Sequence, residues 1–161
     1  MGMSQYNLLP KPYDTEKNLS AETSDGEKNT VLYKNGIKFD YKKGDFERDA
    51  KYRLIDSEGI ESWASWCINC IQTNRYKHLA YSSNFGVDMD SVFEADSPEE
   101  AESVLIREIT EALLADPYQR TAYISDIDIV WETPDSIKVY VIIQGVDDVT
   151  IDITAYLTKG G

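Results

Sequence analysis

The sequence has little positive charge, one histidine and two cysteines, and each shortage argues against a class of function. Its 16 Lys and Arg residues stand against 29 Asp and Glu residues, which gives a formal net charge of -13 at pH 7. Binding to a phosphate backbone needs clustered cationic side chains, so we expect no nucleic-acid partner. The acidic excess fits either a soluble, self-repelling surface or docking onto a basic partner.

Long apolar runs are also missing. No stretch approaches the roughly 18–20 apolar residues that a membrane-spanning helix needs, so we expect no membrane binding by the chain alone. Residues 1–20 lack a basic start followed by an apolar segment, so no secretory signal is predicted and synthesis in the cytoplasm is expected. Hydrophobic residues still make up 42% of the 161-residue chain, enough for one domain with a core.

Composition divides the chain into two regions. Residues 1–30 are polar and poor in aliphatic side chains, so we expect a flexible N-terminal segment. A folded domain is expected over residues 31–161. It should begin with a β-hairpin, because Asn-Gly at 35–36 separates the apolar run 31–33 from the alternating run 37–41.

Two amphipathic helices are predicted next. Residues 58–72 carry Ile60, Trp63 and further apolar side chains at the spacing of one buried helix face. The second helix should start at Ser97, with proline at the first helical position, and end near residue 115, before Asp-Pro at 116–117. Between them, residues 73–97 are predicted to form a long loop with one short helical turn.

The last third of the chain is predicted to form three antiparallel strands, because apolar and polar residues alternate between turns at 133–135 and 145–148. The apolar positions are Ile127, Ile129 and Trp131; Ile137, Val139, Val141 and Ile143; and Val149, Ile151, Ile153 and Ala155. The predicted fold is α+β: an N-terminal hairpin and two main helices packed on a C-terminal antiparallel β-meander. Such a meander ends in an edge strand, whose unpaired backbone groups can accept a strand from a partner.

The sequence Trp-Cys-x-x-Cys at residues 66–70 is the strongest candidate for catalysis. It looks like a thioredoxin-type motif, in which a helix N-terminus lowers the pKa of the reactive thiol. Here Cys67 and Cys70 fall in the middle or last turns of the predicted helix, where no such activation is expected. A thioredoxin-like thiol–disulfide oxidoreductase using these two residues is the first alternative function.

Metal and carboxylate chemistry have weaker support. Two cysteines and His78 do not complete a four-ligand zinc site, so we predict no metal, no cofactor and no catalytic residue. Glu108 and Glu111 are three residues apart and could share a helix face, and glycoside hydrolysis needs two carboxylates at a cleft. A peptidoglycan-cleaving tail enzyme is the second alternative function.

Several segments, taken in order, resemble one known family. They are Phe-Asp and Gly-Asp-Phe at 39–46, Gly-Ile-Glu-Ser-Trp at 59–63, Thr-Asn-Arg-Tyr at 73–76, Ala-Tyr-Ser-Ser-Asn-Phe-Gly at 80–86, Ile-Thr-Glu-Ala-Leu-Leu-Ala-Asp-Pro at 109–117 and Ile-Asp-Ile at 127–129. From about residue 37 to 150, the chain resembles the XkdS-like baseplate proteins of contractile phage tails and phage-tail-like bacteriocins. These belong to the baseplate-wedge, sheath-initiator family.

The resemblance implies a structural role, not an enzyme. The chain would be part of the inner baseplate of a contractile tail or tail-like injection particle, docking to the hub and wedge and nucleating sheath assembly. The implied partners are the sheath protein, the wedge proteins and the hub and tube proteins, with about six copies per particle by symmetry. Such a particle assembles in the bacterial cytoplasm.

The resemblance also points to individual residues. Relatives carry Glu-Pro-Arg after the second helix; here Asp116 replaces Glu, Pro117 matches, and Arg120 lies two positions late. We expect Arg120 to make charge-assisted hydrogen bonds to an acidic partner group. Asp152 and Thr154 lie on the polar face of the last strand and are expected at the docking edge. Arg75 matches the family's Thr-x-Arg-Tyr stretch, which implies that it anchors the loop through ion pairs or carbonyl contacts.

Overall fold

A computed structural model describes residues 33–160, so the expected flexible segment 1–30 and its boundary with the folded domain lie outside the described residues. The helices are α1 (Gly59–Gln72), α2 (Met89–Phe93) and α3 (Pro98–Leu114). The strands are β1 (Gly36–Ile37), β2 (Phe39–Asp40), β3 (Asp45–Phe46), β4 (Asp56–Ser57), β5 (Thr121–Thr133), β6 (Ser136–Gly145) and β7 (Thr150–Thr158). None of these helices is long and apolar enough to cross a membrane.

The C-terminal strands form the antiparallel meander that the sequence predicts, in the order β5-β6-β7. Pairing of β6 with β7 is regular throughout, whereas the pairing of β5 with β6 contains three register shifts. Alternate residues of β6 and β7 are buried because a strand turns successive side chains to opposite faces. These residues are Ile137, Val139, Val141, Ile143, Ile151, Ile153, Ala155 and Leu157. The predicted α+β class is confirmed.

The second predicted helix, α3, begins and ends where its sequence signals place it. The Ser97 hydroxyl accepts a hydrogen bond from the Glu100 amide at 3.2 Å, and Pro98 is the first helical residue. The helix ends at Leu114, just before the Asp-Pro pair. Its predicted apolar face is buried in full: Ala101, Leu105, Ile109, Ala112 and Leu113. The short α2 is the helical turn expected within the preceding loop.

The first predicted helix, α1, is also present, with one correction to its buried face. Trp63, Cys67 and Ile71 are fully buried, as their spacing predicts. Ile60 was expected on the same face but is 43% exposed, since it lies in the first turn of the helix. Trp63 contacts Tyr33 with ring centres 5.3 Å apart, and its indole nitrogen donates to the Thr121 hydroxyl at 3.3 Å. This tryptophan therefore joins α1 to the start of the meander.

The N-terminal hairpin lies later in the chain than predicted. Gly36 belongs to β1, which pairs with β4, so it does not form the turn expected at 35–36. A Cβ atom at Gly36 would lie 2.8 Å from the Ser62 hydroxyl oxygen, so this glycine permits close packing against α1. The hairpin is formed by β2 and β3 instead. Asp40 stabilises its turn by accepting hydrogen bonds from the amides two and three residues later, and Gly44 adopts a φ of 69°.

Candidate functional site

The turn after α3, residues 116–120, contains three of the residues singled out from the sequence. Asp116 and Arg120 form a bidentate ion pair, with Nε–Oδ2 and Nη2–Oδ1 distances of 2.7 and 2.9 Å. Both side chains are buried, at 0% and 6% exposure respectively. The same carboxylate accepts hydrogen bonds from the amides of Tyr118 and Arg120 at 3.1 and 3.0 Å. Asp116 therefore fixes the path of the whole turn.

Aromatic rings surround the Arg120 side chain. Its guanidinium carbon lies 5.5 Å from the ring centre of Trp66 and 5.1 Å from that of Tyr118, which is cation–π distance. Its backbone carbonyl accepts a hydrogen bond from the Val146 amide at 2.9 Å, which ties the turn to the end of β6. The charge-assisted hydrogen bonds that the structure gives to Arg120 are thus made to Asp116 of the same chain. A direct contact of Arg120 with a partner stays a prediction.

The exposed surface of this turn consists of Pro117, Tyr118 and Gln119. Tyr118 is 54% exposed, and the Lys34 ammonium lies 5.2 Å from its ring centre. Gln119 has a φ of 53°, a left-handed conformation that costs a non-glycine residue about 1–2 kcal/mol. The Asp116 carboxylate accepts hydrogen bonds from the amides on either side of Gln119, so the turn presents these three side chains in a fixed arrangement.

The outer edge of β7 has no paired strand within residues 33–160, because β7 is the last strand in its sheet. At one end of the β6–β7 pairing the Gly145 amide donates to the Val149 carbonyl. At the other end the Lys159 amide donates to the Asp135 carbonyl. In a regular antiparallel ladder, residues that bond to the neighbour alternate with residues whose backbone groups point away. Val149 is thus paired with Gly145 and Lys159 with Asp135, and every second residue between Val149 and Lys159 forms a hydrogen-bonded pair with a β6 residue. The amides of the residues in between, which include Thr150, Asp152, Thr154 and Tyr156, therefore point to the free edge.

The side chains of Asp152 and Thr154 lie on the solvent face of the meander. They stand opposite Ile142 and Tyr140 of β6, each of which is 39% exposed. Neighbouring Tyr156 is 50% exposed. The free edge is therefore bordered by a face that carries both polar and apolar side chains.

Arg75 links the loop after α1 to α3. Its Nε donates to the Gly86 carbonyl at 2.9 Å, and its Nη1 lies 3.3 Å from Glu108 Oε2 and 4.0 Å from Glu111 Oε2. Glu108 is buried and also accepts a hydrogen bond from the Asp88 amide at 3.1 Å. The two carboxylates considered for glycoside hydrolysis thus converge on one cation, in an arrangement that holds a loop in place.

Cys67 and Cys70 lie in the second half of α1, where the sequence places them, and both are fully buried. Burial strongly raises the pKa of the Cys67 thiol and raises the pKa of Cys70 to about 11. The Cys70 sulfur lies 3.7 Å from the Ala112 carbonyl oxygen. Thiols in this state are protonated at neutral pH, whereas thioredoxin-type chemistry needs a thiolate.

Sequence reasoning missed Trp66 as a partner of Arg120 and missed Asn74 altogether. Asn74 is 2% exposed, and neither polar atom of its side chain has a hydrogen-bond partner in the part of the chain that the structure describes. No local pattern in the sequence marks either residue, although residues 73–87 contain no Asp or Glu in a chain with 29 acidic residues. That segment is the loop that Arg75 anchors.

The comparison with known families agrees with the resemblance seen in the sequence. Residues 35–148 match the family model of the contractile injection system sheath initiator. No curated protein shows significant similarity to the chain. The match takes in α1, α2, α3, β5, β6 and the Asp116–Arg120 turn, and extends over more than half of the sequence. The chain therefore belongs to the contractile injection system sheath initiator family.

Proposed function

We propose that this chain is a structural component of the inner baseplate of a contractile tail or tail-like injection particle. It docks to the hub and wedge and nucleates the sheath by accepting a strand of the first sheath subunit at the outer edge of β7. The observation that carries the proposal is the free edge itself, with outward-pointing amides at Thr150, Asp152, Thr154 and Tyr156. The family assignment supports the sheath-initiating role.

Strand addition suits the first step of an ordered assembly. An extended segment gains backbone hydrogen bonds along the edge, and these depend little on its side chains. β7 offers nine residues in regular pairing with β6, without a bulge or a proline to disturb its edge. Asp152 places a charge on this strand, which discourages indiscriminate pairing between copies of the chain before a partner arrives.

The turn at residues 116–120 is the second contact of the proposal, directed at the wedge or hub. Pro117 and Tyr118 provide the exposed surface, and the buried ion pair of Asp116 and Arg120 fixes the conformation of the turn beneath it. The partners proposed are the sheath, wedge, hub and tube proteins, with about six copies of this chain per particle, the number that the resemblance to baseplate proteins implies. Assembly would take place in the bacterial cytoplasm.

A structural role, without catalysis, is part of the proposal. The raised pKa of Cys70 argues against a thiol–disulfide oxidoreductase, because the nucleophile in that reaction is the thiolate. The convergence of Glu108 and Glu111 on Arg75 argues against a pair of carboxylates that cleave peptidoglycan. Thiol–disulfide reductase and cell-wall digestion assays on the purified chain test these two alternatives, and we expect no activity in either.

The test of strand addition uses Asp152→Pro, which removes one outward-pointing amide from the free edge. The variant replaces the natural chain in producing cells, and electron microscopy counts sheathed and unsheathed tails. We expect baseplates with tubes but without sheath, since both a hydrogen bond and room for the incoming strand are lost. Circular dichroism of the purified variant must first show the native fold.

Asp152→Asn is the matched control, because it removes the charge but keeps the backbone amide. We expect sheathed tails at nearly the normal frequency from this variant. If folded Asp152→Pro also yields sheathed tails at the normal frequency, sheath subunits do not add a strand at β7, and docking must use side chains on another face.

A further inference from the structure

We propose that a groove between residues 92–101 and residues 131–134, which we call the acidic groove, binds a basic segment of a neighbouring baseplate protein. An arginine or lysine of that segment would meet the carboxylates on the rim, and an adjacent apolar side chain would enter the groove. This inference rests on the proposed place of the chain in a baseplate. It does not depend on strand addition at β7 or on docking at the Asp116–Arg120 turn.

The acidic groove has a volume of about 670 Å³, within the range of about 300–1,000 Å³ that is usual for clefts that take up a ligand. One wall comes from α2 and the start of α3, and the other from the end of β5 and the turn after it. Contacts of Trp131 join the two walls. Its indole nitrogen donates to the Glu102 carboxylate at 3.1 Å, and its ring meets that of Phe93 edge-on at 6.1 Å. The groove is therefore formed before a partner arrives, which lowers the cost of binding.

The lining of the groove suits an apolar side chain. Phe93, Ala95 and Trp131 pack against the core on one side but are only half-buried, because the groove leaves their other side open. A partner side chain placed on them would remove this area from water. Pro98 and Pro134 also line the groove, and proline has no amide to donate. We therefore expect recognition through side chains here, in contrast to strand addition at β7.

The charge around the groove selects the partner. Residues 88–106 contain seven Asp and Glu residues and no Lys or Arg, and residues 131–135 contain two acidic residues and no basic one. Asp96, Glu99 and Glu132 are exposed, and none of them forms an ion pair in the part of the chain that the structure describes. Carboxylates without a cation of their own attract a positively charged partner and repel an acidic one.

A protein segment fits this charge better than other occupants do. Among residues 33–160, no three His, Cys, Asp or Glu side chains are placed to hold a metal ion. A second copy of the chain carries the same formal net charge of -13 and would be repelled. An arginine or lysine of another protein can pair with Asp96 or Glu132, and its cation can also lie against the Trp131 ring, the aromatic side chain that binds cations best.

The experiment uses baseplates isolated from cells that lack the gene for this chain, and measures binding of the purified chain to them by biolayer interferometry. We expect Asp96→Lys combined with Glu132→Lys to raise Kd by about tenfold or more, because the rim then repels a basic segment. The matched control is Asp126→Lys combined with Asp128→Lys, which changes the net charge equally. Both of these carboxylates are exposed and lie opposite Ile142 and Tyr140 on the solvent face of the meander. The control should keep Kd within about twofold.

A neutral version of the rim tests the sign of the partner's charge. Asp96→Asn combined with Glu132→Gln should weaken binding less than the lysine variant does, and should make Kd less dependent on salt between about 50 and about 300 mM NaCl. Circular dichroism first confirms that each variant has the native fold. Tighter binding by the neutral variant would show that the partner is acidic, and would overturn the proposal.

Ala95→Leu tests entry of an apolar side chain without a change of charge. The larger side chain fills part of the groove, so binding should weaken several-fold while the Tm of the free chain does not fall. A variant with the native Tm and full affinity would show that nothing enters the groove, and would overturn the proposal.

The outcomes separate this inference from the proposed function. If the natural chain does not bind the baseplates, the proposed function fails, and this inference fails with it. If the natural chain binds and the lysine variant of the rim binds equally well, or no more weakly than the control, only the acidic groove is wrong. Sedimentation of the free chain completes the test: a dimer that the lysine variant abolishes would make a second copy the occupant and overturn the proposal.

Discussion

Arg120 and Asp116 form a buried i,i+4 ion pair that has an exposed counterpart elsewhere in the chain. Their side chains are 6% and 0% exposed, and Nε lies 2.7 Å from Oδ2. Arg53 and Asp49 have the same spacing and a similar distance of 2.8 Å, but the Arg53 side chain is 73% exposed. The two pairs share their chemistry and differ in burial, so each is a control for the other.

The first prediction concerns the stability that depends on Arg120. Arg120→Ala leaves the Asp116 carboxylate buried without its cation, and breaking a buried pair in this way costs about 3–5 kcal/mol of unfolding free energy. Arg53→Ala should cost less than about 1 kcal/mol, because solvent screens an exposed pair. Urea denaturation of both variants measures the difference. Equal, small losses of unfolding free energy in the two variants would contradict the stabilising role of the Asp116–Arg120 pair.

This prediction also affects how assembly defects are interpreted. A loss of particles with Arg120→Ala would follow from a disordered turn even if Arg120 never touched a partner. Tyr118→Ser is the more specific probe of docking at this turn, because Tyr118 is 54% exposed. Assembly should therefore be compared between Arg120→Ala, which breaks the buried ion pair, and Tyr118→Ser, which removes an exposed side chain of the turn.

The second prediction concerns Arg75, which holds the loop of residues 73–87 against Glu108 and the Gly86 carbonyl. Arg75→Met keeps the aliphatic stem but removes the cation, and we expect a loss of about 3 kcal/mol, near the lower end for a broken buried pair. Amide hydrogen exchange at Val87 should accelerate, because its bond to the loop backbone is no longer held in place.

Lys77→Met is the control for this change. Lys77 lies 3.4 Å from Asp90 in a pair whose side chains are 44% and 58% exposed, so its loss should cost under about 1 kcal/mol. If the Arg75→Met variant has the same Val87 amide exchange rate and the same unfolding free energy as the Lys77→Met variant, Arg75 does not anchor the loop.

The third prediction concerns the pH dependence that the thiols confer. Burial raises the pKa of Cys70 from 9.0 to about 11, and the pKa of Cys67 is also strongly raised. At neutral pH the thiols are protonated in both folded and unfolded chains. As pH rises above 9, the unfolded chain releases thiol protons that the folded chain keeps, so the unfolding free energy falls.

The variant Cys67→Ala/Cys70→Ala removes this contribution. Urea denaturation at pH 7.5 and pH 10 should therefore show a smaller alkaline loss of stability in the double variant than in the natural chain. Identical losses in both proteins would mean that the thiols are not shielded from solvent in the folded state.

Periodic patterns explain why so much of the fold could be predicted from the sequence. The serine cap and the Asp-Pro pair mark both ends of α3 locally, and the alternation in β6 and β7 specifies which face is buried. The N-terminal strands are two residues each, too short for any alternation to be read. There the Asn-Gly pair was misleading, because Gly36 serves close packing against Ser62 and not a turn.

The candidate sites depended more on tertiary contacts than on local pattern. The family motif identified Asp116 and Arg120, but only the folded chain shows that they pair with each other and that Trp66 lies against the guanidinium. Likewise, Arg75 and Glu108 are distant in sequence, and no spacing rule connects them. Burial of a single polar residue such as Asn74 depends on neighbours from the whole loop, so its own sequence position carries no signal.

The central claim is that a sheath subunit adds a strand to the outer edge of β7, and residue-resolved amide hydrogen exchange tests it most directly. Exchange is measured for the free chain and for its complex with the sheath protein. In the free chain, the amides of Asp152 and Thr154 point to the open edge and should exchange quickly. Those of Ile151 and Ile153 bond to β6 and should already be slow.

Binding of the sheath protein should slow exchange at Asp152 and Thr154 by about a hundredfold or more, as for amides newly enclosed in a sheet. Exchange at Ile151 and Ile153 should change much less, which gives an alternating pattern along one strand. If the complex forms and Asp152 and Thr154 still exchange as fast as in the free chain, the sheath is not initiated at this edge.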